Sequence, residues 1–358
     1  MARLRVGVLG LTHDHIWSNL RSLVQLDGAE LVAAAEPNAG LRERFASEFG
    51  KPTFDSYDAL LEGGHAASSP ARDLQAVFCF ADNRTSAELG ARAASRGMHV
   101  MLEKPMASSL ALADRLYAAA HRAGVHLMIN YPHNWNAKLR HAHRLAGEGA
   151  VGDVFKVRYS GGHAGPREIG CSEIFCDWLY DADLNGAGAL VDQGGYAATV
   201  CRWFLGRPGR VVAMGGRLTK QADVDVDNVV ILLRYPSAIG VAETSWSWVG
   251  GLPTAGPVVN GVEGTLVAHG ARDAAGVTMV RKGDKEPTIV EAPPLPEGER
   301  GAAEYFVGRV QSERPIEGLV SPEVCRDAQE ILEAAIESIR TGREVAVPLD
   351  GRLPGIGS

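Results

Sequence analysis

Short apolar runs that alternate with helix-like segments constrain the fold of residues 1–130 more than any other feature of the sequence. The runs read as strands at Leu4–Leu9, Glu30–Ala35, Leu74–Phe80, His99–Leu102 and Val125–Ile129. Helical patterns lie between them at His15–Leu26, Leu41–Phe49, Ser86–Arg96 and Ser109–Ala123. Strands that are apolar throughout are typical of a parallel sheet covered by helices on both faces. Residues 1–130 are therefore predicted to form a doubly wound α/β domain with right-handed connections.

The pattern changes after Tyr131. A polar helix is expected at Ala137–Gly147, and longer strands with alternating character follow at Val154–Ser160, Val211–Leu218, Asn228–Tyr235 and Ile239–Trp246. Consecutive strands without helices between them favour an antiparallel arrangement. Residues 131–358 are predicted to form a second, α+β domain with a largely antiparallel sheet. A last helix, at about residues 322–340, is expected to pack back on the first domain.

Composition narrows the range of partners. Lys and Arg total 36 against 43 Asp and Glu, which gives a net charge of −7, and no basic run occurs, so nucleic acid is not an expected partner. No apolar run approaches the ~20 residues of a membrane span. The N-terminus lacks a signal-peptide layout, and the five cysteines include no CxxC pair, so we expect a cytoplasmic protein without a disulfide framework.

The turn after the first strand is where a dinucleotide pyrophosphate binds in sheets of this kind. The usual glycine pattern is degraded here, because only Gly10 is present and Thr12 and His15 replace the other two glycines. An ordinary strand–turn–helix connection is the alternative interpretation. Glu36 ends the second strand, where a carboxylate can accept hydrogen bonds from ribose hydroxyls and repels a 2′-phosphate. Arg42 is a candidate for binding that phosphate, as is Arg44, but a surface position is favoured for both.

Two histidine groups suggest metal binding. On a helix, His13 and His15 would point about 200° apart, which suits chelation poorly. His163, Cys171 and Cys176 match no standard zinc spacing. We therefore expect no metal site.

A set of motifs resembles the Gfo/Idh/MocA family of oxidoreductases. The sequence His99–Pro105, which contains Glu103-Lys104-Pro105, is similar to the family signature, and Gly186–Gly194 resembles its second-domain motif. Ala81-Asp82-Asn83 resembles a segment that usually ends in Thr-Pro-Asn. The resemblance implies a Rossmann domain that binds a nicotinamide dinucleotide, followed by an α/β domain with a large open sheet that often mediates oligomerisation.

The chain departs from the family pattern at several positions. Asp82 replaces the usual Pro and Ser86 the usual His. In the second-domain motif Tyr196 replaces His and Thr199 replaces the last Asp. Tyrosine at this position resembles the glucose-fructose oxidoreductase and dihydrodiol dehydrogenase branch, which is catalytically competent.

The resemblance implies a catalytic group of Lys104, Asp192 and Tyr196. Lys104 would hydrogen-bond the reacting oxygen, and its charge would lower the pKa of the Tyr196 phenol so that this phenol exchanges the proton. Asp192 would orient Lys104. The residues expected to bind the cofactor are Gly10, Leu11, Thr12, His13, Glu36, Ala81, Asp82, Asn83, Ser86, Glu103, Lys104 and Asn130.

Two clusters mix polar and aromatic side chains in a way that suits a polyol. They predict substrate contacts at Tyr131, His133, Trp135, Asp177 and Trp178. A capped linker between the domains is the alternative interpretation of the first cluster.

The chain is thus predicted to be an NAD(P)-dependent oxidoreductase that transfers a hydride between nicotinamide and a sugar, an inositol or a related polyol. NAD is the expected cofactor and NADP the alternative. Two other hypotheses stay open, a redox-neutral NAD-using lyase or glycosidase and a non-catalytic dinucleotide-binding regulator. The expected assembly is a homodimer or homotetramer.

Overall fold

The computed structural model describes residues 2–63, 71–221, 224–250, 256–268 and 276–349. Its first sheet has the strands β1 Leu4–Leu9, β2 Ala29–Ala35, β3 Thr53–Phe54, β4 Ala76–Cys79, β5 His99–Glu103 and β6 Leu127–Asn130. All pair in parallel, in the order β3-β2-β1-β4-β5-β6. The predicted doubly wound parallel sheet is confirmed. Because the strand order reverses between β1 and β4, a crevice opens at their carboxyl ends.

The helices of this half are α1 Ile16–Leu23, α2 Ala39–Phe49, α3 Tyr57–Gly63, α4 Asn83–Ala94 and α5 Leu110–Ala123. Local sequence explains their ends. The side chain of Asn38 accepts a hydrogen bond from Leu41 N at the start of α2, and Gly124 adopts the left-handed conformation, with φ of 64°, that ends α5. The two-residue strand β3 and the helix α3 were not predicted, since neither has a long periodic pattern.

The second sheet has nine strands, in the order β14-β13-β12-β11-β7-β10-β9-β8-β15. They are β7 Val154–Gly162, β8 Arg210–Gly216, β9 Asn228–Arg234, β10 Ile239–Ser245, β11 Val258–Gly261, β12 Gly264–Val267, β13 Gly276–Arg281, β14 Thr288–Glu291 and β15 Val345–Ala346. β7 and β10 pair in parallel and the other neighbours pair antiparallel. The mostly antiparallel open sheet is therefore confirmed, although the strands from β11 onwards were not predicted.

The helices of the second half are α6 Ala137–Gly147, α7 Glu173–Leu179, α8 Ala182–Asn185, α9 Gly188–Asp192, α10 Gly194–Leu205, α11 Ala302–Gln311 and α12 Pro322–Thr341. α10 and α12 cover one face of the sheet, where Ile231 and Leu233 are buried. The opposite face leaves apolar side chains exposed, among them Met214 at 84% and Leu232 at 43%.

Two late helices join the halves of the molecule. In α11, Phe306 is buried in the core of the first sheet, although the sequence division placed it in the second domain. α12 contacts both halves, because Cys325 lies in the first core while Ile331 lies in the second. The Arg326 guanidinium also donates to Asp114 of α5 at 2.7 Å.

Within the described ranges, no helix combines the length and the apolar character that crossing a membrane requires.

Candidate active site

The carboxyl ends of β1, β2, β4, β5 and β6 place most of the predicted dinucleotide residues, together with Lys104, along one edge of the first sheet. Gly10 ends β1 with φ of +89°, and a Cβ built on it would lie 2.4 Å from Ala81 N. Only glycine fits this turn, because a side chain would meet the backbone after β4 and strain its own. Gly10 and Ala81 are thus brought together as the family pattern implies.

The rest of the turn is loop rather than helix, since α1 begins at Ile16 and not at His15 as predicted. His13 N donates to Phe80 O at 3.0 Å, and the His13 side chain is only 1% exposed. Its ring lies 4.6 Å from that of Phe175 and 5.7 Å from that of Trp178, both on α7. A helix from the second half of the chain therefore covers the turn.

Polar contacts reinforce this cover. Asp14 accepts hydrogen bonds from Ser172 N at 2.8 Å and Ser172 Oγ at 2.6 Å, just before α7. Trp178 Nε1 donates a hydrogen bond to Thr12 O at 3.5 Å. Trp178 was predicted to contact substrate, and it lies instead against the dinucleotide turn. Asp177 is exposed, on the outer side of α7.

Glu36 lies at the end of β2 and is 2% exposed. Its two carboxylate oxygens accept from Leu11 N and Asn38 N, both at 2.8 Å. Burial raises its pKa, against the opposing effect of these hydrogen bonds and of Arg42. Arg42 donates to the carbonyls of Glu36 and Pro37 at 2.7 Å.

Arg44 lies with its guanidinium 3.6 Å from the ring centroid of Trp17. Arg42 and Arg44 were the candidates for binding a 2′-phosphate. Arg42 instead contacts backbone carbonyls, and Arg44 contacts the ring of Trp17. Glu36 and these contacts together favour a ribose without that phosphate.

The residues after β4 have separate roles. Asp82 accepts from Thr85 N at 2.8 Å and so caps α4. Asn83 Nδ2 donates to Asn185 Oδ1 at 2.8 Å, which links the two halves of the chain through a buried contact. Ser86 Oγ is buried without a hydrogen-bond partner.

Glu103 ends β5 at the centre of a polar network. Its Oε1 lies 3.0 Å from His15 Nδ1, and its Oε2 accepts from Asn130 Nδ2 at 2.8 Å. Trp135 Nε1 donates to Asn130 Oδ1 at 3.0 Å. The network joins β5, β6 and the turn after β1, and it fixes the orientation of the Glu103 carboxylate.

Lys104 and Asp192 form an ion pair in which each residue is 3% exposed. The second carboxylate oxygen of Asp192 accepts from Trp246 Nε1 and from Gln193 Nε2, both at 3.0 Å. Burial acts to raise the pKa of Asp192, but the Lys104 charge and the hydrogen bonds hold it below its usual value. Trp246, which is fully buried, was missed; the sequence gave no signal beyond its place at the end of a predicted strand.

Tyr196 lies in the first turn of α10, and Lys104 Nζ lies 5.2 Å from its ring centroid. Burial raises the pKa of Tyr196 well above its usual range, and the carboxylates of Glu103 and Asp192 raise it further. The prediction that Lys104 lowers this pKa is wrong. Asp192 compensates the Lys104 charge, and the ammonium lies over the ring of Tyr196.

Aromatic side chains surround Tyr196. Its ring lies 5.4 Å from that of Tyr131 and 4.9 Å from that of His133. Burial and the Lys104 charge lower the pKa of His133 to about 3, and His133 Nδ1 is buried without a partner. Tyr131, His133 and Tyr196 thus lie against one another, with Tyr131 only 1% exposed, and the lowered pKa keeps the His133 imidazole neutral at pH 7.

An open groove of about 440 Å³ lies beside this group. Its lining includes His15, Asn19, Asn130, Trp135, Tyr196 and Ala302. The groove reaches from the turn after β1 to Tyr196. It therefore connects the predicted dinucleotide edge with one of the three predicted catalytic residues.

His163, at the end of β7, was considered only as a zinc ligand. Its backbone N donates to Ser245 O at 3.0 Å, beside Trp246, and its Nδ1 accepts from Gly165 N at 3.0 Å. Burial lowers its pKa, and the charges of Asp192 and Lys104 act on it in opposite directions. The parallel pairing of β7 and β10 could have indicated this proximity, because parallel strands end at the same edge.

The first turn does not have the helical geometry that would direct the rings of His13 and His15 apart. His13 and His15 both precede α1, and their ring centroids lie 4.7 Å apart. One ligand atom from each of them and one from Glu103 lie within 4.8 Å of one another. Within the same described ranges, His163, Cys171 and Cys176 form no such group.

The residues at the edge fit a nicotinamide dinucleotide. Gly10 lets the chain turn tightly at the switch point, and Glu36 stands at the end of β2, with carboxylate lone pairs to spare for a ribose hydroxyl. The unpartnered Ser86 Oγ and His13 Nε2 are polar atoms available at the same edge.

Comparisons with known proteins agree with this fold. Residues 4–131 match the oxidoreductase family with an NAD-binding Rossmann fold, and residues 139–267 match the GFO/IDH/MocA C-terminal domain. A dTDP-3,4-didehydro-2,6-dideoxy-alpha-D-glucose 3-reductase of Actinomadura kijaniata is 30% identical over 234 residues, 64% of each chain. D-xylose 1-dehydrogenase (NADP(+)) 2 of Haloferax volcanii is 31% identical over 208 residues, 58% of this chain and 59% of that one.

This chain spans about three fifths of the length of these curated relatives. The crystal structure of GenD2 from gentamicin A biosynthesis, in complex with NAD, is similar over 97% of both chains, with 25% identity and a TM-score of 0.76. From its two matched domains and its fold, the chain is a member of the Gfo/Idh/MocA family of oxidoreductases, with an NAD-binding Rossmann domain.

Proposed function

We propose that this chain is an NAD-dependent oxidoreductase that interconverts a hydroxyl and a carbonyl group on a sugar-like or polyol substrate. The observation that carries the proposal is the buried Lys104–Asp192 pair beside Tyr196, at the edge that fits a dinucleotide. A charged donor and a phenol placed together in a water-poor site suit proton transfer to an oxygen that gains negative charge. A bound nicotinamide would supply or accept the hydride.

Lys104 donates a hydrogen bond to the reacting oxygen, and Tyr196 moves the proton. Asp192 accepts from Lys104 and from Trp246, so it sets the direction of the ammonium. The high pKa of Tyr196 keeps its phenol protonated at neutral pH. The phenol can therefore give its proton to the oxygen when a carbonyl is reduced, and the same group takes the proton back when a hydroxyl is oxidised.

The cofactor is held, in this proposal, by the turn from Gly10 to His13, by Glu36 and by the residues after β4. Glu36 and the occupied arginines favour NAD over NADP. The NADP-dependent xylose dehydrogenase among the relatives makes NADP the alternative that a titration has to exclude.

The substrate class follows from the groove and from the relatives. Tyr196 and Asn130 line the groove and present a ring and a polar amide together, a combination that suits the C–H faces and hydroxyls of a sugar. Trp135 lines the groove at the same position. One relative is named as a reductase of a dTDP-linked keto sugar and another as a xylose dehydrogenase, so a sugar or sugar nucleotide is the class to test first.

The assembly proposed is a homo-oligomer formed through the uncovered face of the second sheet. Phe155, Met214, Leu232 and Ile239 expose 45%, 84%, 43% and 52% of their surface there. A second copy would bury this apolar face. All five cysteines are free, which suits the reducing cytoplasm.

The test is a screen of keto sugars, aldoses, inositols and their nucleotide-linked forms, with absorbance of the reduced dinucleotide as the readout. We expect turnover with at least one sugar-like compound, and expect Lys104→Met to lower kcat by several powers of ten while the dinucleotide still binds. Lys285→Met, which replaces an exposed lysine between β13 and β14, is the matched control and should turn over normally.

Tyr196→Phe keeps the ring and removes only the hydroxyl, so unchanged turnover in this variant would contradict the assigned proton transfer. Sugar bond cleavage without net change of the dinucleotide would favour the lyase or glycosidase hypothesis. Dinucleotide binding without any reaction across the whole screen would favour the regulator.

A further inference from the structure

We propose that His13, His15 and Glu103 form a binding site for a divalent transition-metal ion of the zinc type. Each side chain offers one ligand atom, and the three atoms lie within 4.8 Å of one another. Two imidazoles and one carboxylate form a donor set that zinc and its neighbours in the first transition row prefer, whereas Mg²⁺ and Ca²⁺ prefer oxygen ligands alone.

Two of the three ligands are fixed in place. His13 is 1% exposed and Glu103 is 4% exposed. His13 Nδ1 lies 3.2 Å from His15 N, which donates to it, and His13 Nε2 is buried without a hydrogen-bond partner. A buried polar atom without a partner costs free energy, and a bound metal ion is one of the groups that removes this cost by occupying the polar atoms of the cluster.

The third ligand can move. The side chain of His15 is 43% exposed, and its Nδ1 already lies 3.0 Å from Glu103 Oε1. Ligand atoms around a tetrahedral zinc ion lie about 3.4 Å apart, given bonds of about 2.1 Å. The widest separation in the cluster, at most 4.8 Å, must therefore shorten by up to about 1.4 Å, and the half-exposed His15 ring is the ligand with room to move.

A supporting residue holds the carboxylate. Asn130 Nδ2 donates to Glu103 Oε2 at 2.8 Å, and Trp135 Nε1 in turn donates to Asn130 Oδ1 at 3.0 Å. Hydrogen bonds of this kind orient the ligands of metal sites and raise metal affinity. The Asn130 contact uses Oε2, so Glu103 Oε1, which lies 3.0 Å from His15 Nδ1, is the oxygen that would bind the ion in place of that contact.

The position of the site defines what else the ion could bind. His15 and Asn130 both line the groove that ends at Tyr196. Three protein ligands leave at least one coordination position open, and on the His15 side that position faces the groove. One carboxylate against a divalent ion leaves a net charge of +1, so the open position would take water or an anionic oxygen.

The experiment is a titration of Zn²⁺ into metal-stripped, tag-free, full-length protein without dinucleotide, followed by calorimetry. We expect one saturable site for each chain. Asn130→Ala should weaken Zn²⁺ binding by about 10-fold or more, and His15→Ala should weaken it further, since it removes a ligand. His121→Ala removes an exposed histidine at the end of α5 and is the matched control, which should bind as the wild type does.

A second measurement uses Co²⁺, whose visible spectrum reports nitrogen and oxygen ligation in a site of low symmetry. Glu103→Gln should remove or shift this spectrum. Equal Zn²⁺ affinity in the wild type, His15→Ala and Glu103→Gln, or no saturable binding, would overturn the proposal. Because no dinucleotide or sugar is present, the outcome does not depend on whether the oxidoreductase proposal holds.

Discussion

Replacing Asp192 by asparagine removes the charge that compensates Lys104 inside the protein. Both residues are 3% exposed, and Asp192 also accepts from Trp246 Nε1 and Gln193 Nε2 at 3.0 Å. At an effective dielectric constant of about 20, two unit charges 4 Å apart interact by about 4 kcal/mol. Removing one partner of a buried pair costs about 3–5 kcal/mol, chiefly because the other charge stays buried alone.

Removing both charges should cost much less. In the double variant Lys104→Met/Asp192→Leu no uncompensated charge stays buried, and apolar replacements of buried pairs are often neutral. We therefore expect Asp192→Asn to lower the free energy of unfolding by about 3–5 kcal/mol, and the double variant to lose clearly less than the sum of Lys104→Met and Asp192→Leu. The coupling free energy should reach about 3 kcal/mol.

The assay is urea unfolding followed by tryptophan fluorescence, with the four proteins of the cycle measured at pH 7. Glu337→Gln, which breaks the exposed ion pair with Arg340, is the control and should leave the midpoint unchanged. Single-variant costs that add to within about 0.5 kcal/mol would refute the argument that Lys104 and Asp192 form a coupled buried pair.

Three further predictions concern pH, the first turn and the cofactor. The pKa of His133 is about 3 in the folded chain and its usual value is 6.5, so as pH falls unfolded chains bind this proton before folded chains do. The stabilisation that the neutral imidazole provides is complete above pH 6.5, and about 2 kcal/mol of the free energy of unfolding is lost by pH 5. His133→Phe should flatten this dependence, as measured by unfolding at both pH values; an unchanged slope would contradict the lowered pKa. Gly10→Ala should lower the melting temperature of the protein far more than Gly97→Ala does. Both glycines have positive φ, but a Cβ on Gly10 would lie 2.4 Å from Ala81 N, whereas a Cβ on Gly97 would meet nothing within 4 Å. Calorimetry should show tighter binding of NAD than of NADP, and Glu36→Ala should reduce that preference; tighter NADP binding by the wild type would mean that Glu36 does not face the ribose.

Local sequence determined the first half of the molecule. Continuous apolar runs such as Leu4–Leu9 are buried on both sides, so they form strands of a covered parallel sheet wherever helices separate them. Neighbouring residues alone set the two ends of α12. The side chain of Ser321 accepts a hydrogen bond from Val324 N at the start of the helix, and Gly342, with φ of 66°, ends it. The Lys104 and Asp192 motifs also depend on local pattern, and for this reason they could be predicted before any contact was known.

The tertiary structure decided how distant residues act on each other. Trp246 reaches Asp192 because β10 ends beside α9, a contact that no local pattern encodes. The pKa of Tyr196 rises because burial and two carboxylates outweigh a lysine whose charge is already compensated, and each of these effects depends on distances across the chain. In the same way His13 and His15 lie beside each other because both precede α1, so the helical spacing that would direct their rings apart does not apply to them. Burial, charge compensation and the convergence of separate strands are properties of the packed chain, and these properties set the chemistry of the site.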